Sequence, residues 1–558
     1  MNSTKERQLR IVFDNKDEAS CYPGTLVRNI IKEHKEYNSE LGYVAALVNN
    51  RVETLGYPLE TDSEISLLTI ADSHGWRVYR DSLAFLLSKA AYKCYPDNNL
   101  SINHSLGDGF YCSFDELSKE ELPEVLAKLE AHMRKDIESK LPIIRQRIRF
   151  KDALEYFASK GRKDKCNLLK FKNQPRIAVY NCNSFIDLAH GALADNTGDL
   201  QHFKLLQYDE GFVLQFPEKE LPVKFSKFKK QKSLFNIFKS YKKWGQTIGI
   251  RTAGDLNELI IRGDLKEVID IEEAFQEKKL AEIADEIYKR KDEVKWVLIA
   301  GPSSSGKTTF AHRLSTQMKV NGIRPVVISG DNYFVDRVNT PKDENGNYDY
   351  EHLETIDLPL LYGDLEKLDK GEEIQIPTYD FIEGKKKWLG NKICLKDNEM
   401  AVIEGIHSLN PAMTEVLAKE RKYKIYINAL TQLNLDNNNR ISTTDCRLIR
   451  RVIRDHRTRG FRALATMKMW HSVRKGEKRW IFPFQDFADS VFSSALNYEL
   501  FVLKPLVESL FAEVKPWDES YPDARRIQEF LSTFVPAPAV DIPRTSILRE
   551  FIGGGIMG

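Results

Sequence analysis

The chain has 558 residues, 42% hydrophobic and 29% charged, with a formal net charge of +2. That is an ordinary globular composition, long enough for about three or four domains, and its near-neutral balance excludes a global field aimed at nucleic acid or membrane. Seven cysteines form no CxxC pair and no zinc-ribbon spacing, and the start MNSTKERQ is polar. No apolar run approaches the ~18 residues of a membrane span. The expectation is a cytoplasmic protein with no disulfide framework.

Residues 1–72 predict a small mixed module. Leu9 to Phe13 alternates as a strand, Tyr22-Pro23-Gly24-Thr25 is a turn, and Leu26, Ile30 and Ile31 share a helical face. Val44 to Val48 and Ile65 to Ile70 are further strands, with the Asn49-Asn50 turn between them. This order, with CYPGT and AALVNNRVETLGYPLETDSEISLLT, resembles the TGS domain, a β-grasp module found ahead of threonyl-tRNA synthetases and in some GTPases. The resemblance implies a packing or interaction module, with RNA contact as the alternative.

Over residues 73–225, RDSLAFLLSKAAYKCYPD, HSLGDGFYCSF and NSFIDLAHGALADNTGDLQHFKLL resemble the second additional domain of threonyl- and alanyl-tRNA synthetases. That family binds zinc through an HxxxH helix pair and a later Cys-xxx-His, since two histidines at i and i+4 share a face. The aligned positions here are Asp81, Phe85, Ala189 and Leu193. The resemblance therefore implies the fold without the metal or the deacylase chemistry, and no zinc is expected; His190 and His202 nearby read as surface or hydrogen-bonded residues.

Residues 226–290 predict a helical connector. Lys224 to Lys243 interleaves lysines and aromatics, which suits either an RNA-facing patch or an amphipathic helix packing Phe235, Ile237, Phe238 and Tyr241 between domains. The packing reading is the expectation.

The stretch 291–515 carries the strongest motif. Trp296 to Ala300 is a five-residue apolar strand. After it, Gly301, Pro302, Ser303, Ser304, Ser305, Gly306, Lys307 and Thr308 match the phosphate-loop pattern in full, and Thr309, Phe310, Ala311, Leu314 and Met318 open a helix. Glycines let the backbone aim its N–H groups at a polyphosphate, Lys307 reaches the β- and γ-phosphates, and the Thr308 hydroxyl can ligate Mg²⁺. Further strands end at Asp331 and Glu404, the carboxyl edge where open α/β sheets bind ligands. A later helix has an apolar stripe and, at i, i+3, i+4 and i+7, Arg447, Arg450, Arg451 and Arg454, followed by Arg457 and Arg459. Behind a phosphate loop, such a second face predicts a lid.

VLIAGPSSSGKTTF, ISGDNYF, YDYEHLETID, IPTYDF, MAVIEGIHSL and DCRLIRRVIRDHRTRGF together resemble the uridine kinase and phosphoribulokinase family. The resemblance implies phosphorylation of a nucleoside 5′-hydroxyl that depends on ATP and Mg²⁺. It puts the ATP phosphates on Gly301 to Thr309, makes Lys307, Asp331, Arg451, Arg454 and Arg459 catalytic, and gives Thr308 and Glu404 to Mg²⁺. Asp331, Tyr333, Glu351, His352 and Tyr379 would form the acceptor site. The family's base-reading histidine falls on Gly384, which implies weaker base selectivity unless Glu383 or Lys385 supplies the contact.

The expected fold is thus multidomain, α/β and α+β: a β-grasp module, an α+β synthetase-like domain, and a P-loop NTPase domain with a doubly wound parallel sheet. Within the tail, 516–558, the stretch Ile542 to Gly555 is apolar enough to dock, without a role the sequence supplies. The expected function is an ATP-dependent nucleoside kinase acting on a small ribosyl substrate. The alternative is a nucleotide-switched RNA- or ribosome-binding regulator, against which stand the acceptor cluster and the lack of an NKxD guanine reader.

Overall fold

Alternation of Leu9, Ile11 and Phe13 buries one face of the first strand, Leu9–Phe13. In the computed structural model, which describes residues 7–33, 41–219, 223–344 and 346–556, this strand pairs antiparallel with Glu18–Cys21 and parallel with Ser63–Leu68. Ala45–Val48 and Arg51–Glu53 complete a five-stranded sheet, and helix Val27–Glu33 turns Val27 and Ile30 into its core. The Asn49-Asn50 turn has φ of 48° and 60°, the left-handed pair that a tight hairpin needs. Two of the five strands were missed in the sequence: Glu18–Cys21 and Arg51–Glu53 are short edges with little apolar signal. The polar start Met1–Glu6 lies outside the described residues.

The next region is built on helix Ser73–Cys94, whose Tyr79, Leu83, Phe85, Leu86 and Leu87 are buried. A four-stranded antiparallel sheet and a three-stranded one complete it. Helix Lys232–Thr247 then crosses back over it. Its Phe238 ring stacks on His104 at 3.5 Å, and Phe235 meets Tyr111 and Tyr208 edge-on at 4.9 Å. The aromatics of the Lys/Phe run are therefore used in a packing seam, while Lys239 and Lys243 point outward.

The phosphate-loop strand lies at the centre of a fully parallel sheet. Its order is Arg324–Ser329, Glu399–Glu404, Trp296–Ala300, Lys422–Asn428, Ser490–Ser493. Burial on both faces explains why the strands read as apolar runs, and every residue from Trp296 to Ala300 is buried. Helices Leu265–Lys289 and Lys307–Val320 cover one face, joined by Arg313 to Glu277 at 2.8 Å.

The regions are tied by polar as well as apolar contacts. Lys165, on helix Lys163–Leu169 of the synthetase-like region, is fully buried. It pairs with Asp187 at 2.6 Å and with Asp436 at 3.2 Å, on a hairpin that follows the parallel sheet. Asn50 and Arg51 of the first module reach the C-terminal region, at Pro516 and Glu529. Removing one partner of a buried ion cluster leaves charge unpaired. Lys165→Met is therefore expected to lower stability by about 3 kcal/mol or more, with part of the loss recovered by adding Asp436→Asn. Urea unfolding of the single and double variants checks this; a loss under about 1 kcal/mol would show that the two carboxylates do not depend on Lys165.

Candidate active site

The phosphate loop is held by close backbone approach. A Cβ on Gly301 would lie 2.0 Å from the Ile427 carbonyl oxygen, so only glycine fits between the two strands. Ser304 and Gly306 both adopt positive φ, 60° and 85°, and turn the chain into helix Lys307–Val320. Ser304 Oγ and Ser305 Oγ are buried without a hydrogen-bond partner, and Lys307 Nζ donates to the Pro302 carbonyl at 3.3 Å. Orphan donors at a helix N-terminus suit a polyphosphate.

Glu404 closes the neighbouring strand and is 3% exposed. Its Oε1 accepts from Ser329 Oγ at 2.7 Å and from Thr308 Oγ1 at 3.4 Å. Hydroxyl and carboxylate thus meet where the sequence reading wanted a Mg²⁺ site, and hard oxygen donors of this kind fit that ion. Burial, then the nearby Asp331 carboxylate, pushes Glu404 up to about 7, against the pull of Lys307. Asp331 sits in the turn Gly330–Tyr333 that ends the next strand.

The arginine helix, Thr443–Arg459, corrects the lid picture: its polar residues are no free face. Arg447 and Arg450 are fully buried, on Glu477 and Glu499. Arg447 Nε also donates to the Ser303 carbonyl at 2.9 Å, and Arg451 to Ser303 Oγ at 2.7 Å. Arg451, Arg454 and Arg459 share the single carboxylate of Asp455, at 3.3, 2.8 and 3.5 Å. Three guanidiniums on one acid leave positive charge beside the loop. Burial and Arg454 bring Arg459 down to about 10, while Asp331 opposes this.

On the acceptor side the residues divide. Glu351 is 6% exposed, pressed by helix Ala463–Trp480: a Cβ on Gly476 would come within 2.3 Å of its own Cβ. Burial and Glu477 push it up to about 8, with Arg451 and Lys307 opposing. His352 is occupied locally, its Nδ1 accepting from the Glu354 N–H at 3.1 Å and its ring on Trp480. Tyr333 is misplaced by the sequence reading. It lies in the core at 1% exposure, its hydroxyl donating to Asp364 at 3.0 Å, because the turn after Asp331 rotates it inward. Tyr379 stands among Phe334 and Phe381, edge to face. Gly384 has φ of 68°, and a Cβ there would lie 2.7 Å from the Arg337 guanidinium carbon. Arg337 fills the space beside Gly384. Beside it, Glu383 pairs with Lys387 and Lys385 is exposed.

Sequence reasoning expected the tail to dock but did not place it. Ile547 packs on the phosphate loop, 2.5 Å from where a Gly306 Cβ would stand. Glu550 accepts from Thr309 Oγ1 at 3.1 Å and from the Thr309 N–H at 3.5 Å. Arg457 holds this segment through the carbonyls of Glu550 and Phe551. No local signal marks these residues, since the contacts span some 240 positions. The four positions where zinc ligands would stand, Asp81, Phe85, Ala189 and Leu193, line one cleft of the synthetase-like region. Among the described residues no group of three or more His, Cys, Asp or Glu side chains could hold a metal ion, and no helix is long and apolar enough to cross a membrane.

Residues 297–499 match the model of the Phosphoribulokinase / Uridine kinase family. The N-terminal region is similar to threonine–tRNA ligases: 34% identical over 180 residues to that of Thermotoga maritima, 31% of this chain and 27% of the relative, and 33% over 164 residues to that of Symbiobacterium thermophilum, 29% and 25%. The match thus spans about a quarter of those relatives' length. A solved Bacillus stearothermophilus structure described as a possible uridine kinase is covered in full by 38% of this chain, at 20% identity and a TM-score of 0.27. The family match supports a P-loop kinase.

A carboxyl group held near 8 makes the folded chain bind more protons than the unfolded one between about 4.5 and 8. Stability should therefore fall as pH rises through that window. Glu351→Gln removes this slope: its melting temperature is expected to fall less between pH 5 and pH 8 than the parent's. Parallel profiles would show that Glu351 titrates as an ordinary carboxylate.

Proposed function

We propose that this chain is an ATP- and Mg²⁺-dependent kinase that phosphorylates the 5′-hydroxyl of a nucleoside or similar ribosyl alcohol. The observation that carries the reading is the convergence of Thr308 and Glu404, 3.4 Å apart, with Lys307 and Asp331 in electrostatic reach of the same carboxylate. The family match supports phosphoryl transfer, and the nucleoside acceptor goes beyond it.

In this reading the loop N–H groups, Lys307 and the serine hydroxyls hold the phosphates. Thr308 and Glu404 would hold Mg²⁺, which would supply neutralisation of phosphate charge. The acceptor oxygen attacks the γ-phosphorus as its proton passes to Asp331; the bond to the β,γ-bridging oxygen breaks and ADP leaves with that electron pair. Arg451, Arg454 and Arg459 offset the charge that develops. Glu351, held up near 8, stays protonated at neutral pH and donates as well as accepts hydrogen bonds to ribose hydroxyls. A nucleotide switch alone has no use for a buried Glu351 in electrostatic reach of Asp331 and Lys307, which disfavours the regulator reading.

Lys307→Ala and Asp331→Asn should each fold normally and lose phosphoryl transfer by roughly 10²-fold or more, scored as 5′-monophosphate formed from a nucleoside panel with ATP. Near-normal turnover by Lys307→Ala would end the kinase reading. Glu550 meets the Thr309 N–H that a phosphate oxygen would otherwise take, so its carboxylate must withdraw as nucleotide enters. Glu550→Ala is expected to bind ADP roughly ten-fold more tightly, through relief of like-charge repulsion; calorimetry giving equal or weaker binding would show that the carboxylate does not compete.

A further inference from the structure

A second charged cleft starts where the first module, the synthetase-like region and helix Tyr521–Leu531 meet and runs on to Arg440, Asp445 and Arg447. It consists of two adjoining cavities of about 660 and 700 Å³, which share Arg77, Asp81, His190 and Arg526 in their walls. Eight lysines and arginines line the first, against three carboxylates. In a chain whose formal net charge is only +2, this is a local concentration of positive charge.

Two cations of the second cavity, Arg80 and Arg440, close no ion pair among the described residues. Arg80, on helix Ser73–Cys94, and Arg440, just before the arginine helix, come from different regions of the chain. Both guanidiniums lie over the Phe110 ring, at 5.6 and 4.8 Å. Neither makes a hydrogen bond or an ion pair within 4 Å among the described residues, and the Nε of each is buried without a partner. His190 Nε2 is likewise buried and unpartnered. Asp81 faces them without closing to ion-pair distance, and burial pushes its carboxyl up. The other nearby acids are spent: Asp445 takes both forks of Arg526, at 2.7 and 2.8 Å, and Asp523 takes Arg77 at 3.3 Å. A buried guanidinium without an acceptor is costly unless an anion meets it.

We propose that this cleft is a binding site for a small phosphate-bearing molecule of about nucleotide size, gripped by Arg80 and Arg440. Guanidinium forks match phosphate oxygens in pairs, and the volume is that of small-molecule pockets. Trp76, Phe110 and Phe216, which pack about the Arg80 guanidinium, make that side of the cavity apolar. A cavity of about 700 Å³ suits a small ligand better than an RNA strand. It is independent of the kinase reading, but it adjoins that machinery: Arg440 stands three residues before the arginine helix, whose Arg447 and Arg451 touch Ser303 of the phosphate loop.

The test uses the full chain with tungstate, inorganic phosphate and a nucleoside 5′-monophosphate as probes. Crystals soaked in tungstate should show anomalous density between Arg80 and Arg440, separate from any at the phosphate loop. In solution, Arg80→Gln/Arg440→Gln should weaken monophosphate or phosphate binding at this site roughly ten-fold or more, the loss of charged hydrogen bonds, while ADP binding stays as in the parent. Tighter binding of the monophosphate than of phosphate would identify a nucleotide as the ligand, and equal binding a free phosphate. Tungstate confined to the phosphate loop would overturn the proposal. So would a cleft that binds tRNA, with neither small anion competing. A chain that binds no ADP yet shows the cleft density would refute the kinase reading and leave this site standing.

Discussion

Burying a guanidinium is tolerable only where fixed acceptors meet it, and the helix Thr443–Arg459 buries three in succession. That constraint organises the catalytic region. Arg447 needs Glu477, which draws in helix Ala463–Trp480, and it takes the Ser303 carbonyl as well. Arg450 needs Glu499 and the Ser494 carbonyl, fixing the turn after the last strand of the sheet. One helix therefore pins the phosphate loop, the wall behind Glu351 and the sheet edge together. Such pairs add little net stability over apolar packing, but they are severe about geometry, because each tolerates one arrangement of its partner.

The same pairs shape the electrostatics. Glu477 is the charge that, after burial, lifts Glu351, and Asp331 plays that part for Glu404. Two buried carboxyls are thus pushed up with different charges foremost, a difference of environment that suits distinct roles in one site. Lys307 opposes both shifts, so a ligand that engages its charge would change how each of them titrates.

Much of this was legible in the sequence where the signal is local. Strand, glycine loop and helix in order fixed the phosphate cradle, and carboxylates directly after apolar runs foretold the meeting of Thr308 with Glu404. What was not legible depends on distant partners. Four arginines at i, i+3, i+4 and i+7 read the same whether water or buried acid faces them, and the acids lie 30 and 49 residues away. Tyr333 follows Asp331 by two positions, and only the tight turn between them decides that one faces the site and the other the core. Glu550 has no sequence mark at all, since its meaning comes from Thr309, 241 residues earlier.

Gly384 shows how far a resemblance can be carried when one position departs from it. Its φ of 68° and the 2.7 Å approach of Arg337 leave no room for a side chain, so the missing histidine is part of a different local solution. Arg337 donates to the Phe381 carbonyl, which uses one of its five N–H groups and leaves others near Tyr379. A guanidinium offers only donors, where a histidine offers one donor and one acceptor. For the nucleoside acceptor proposed above, that change favours bases or substituents rich in acceptor oxygens, while the aromatic cluster of Phe334, Tyr379 and Phe381 supplies contact indifferent to base identity. Selectivity in such a pocket is set by where the free N–H groups of Arg337 point and by the cost of leaving them unpaired.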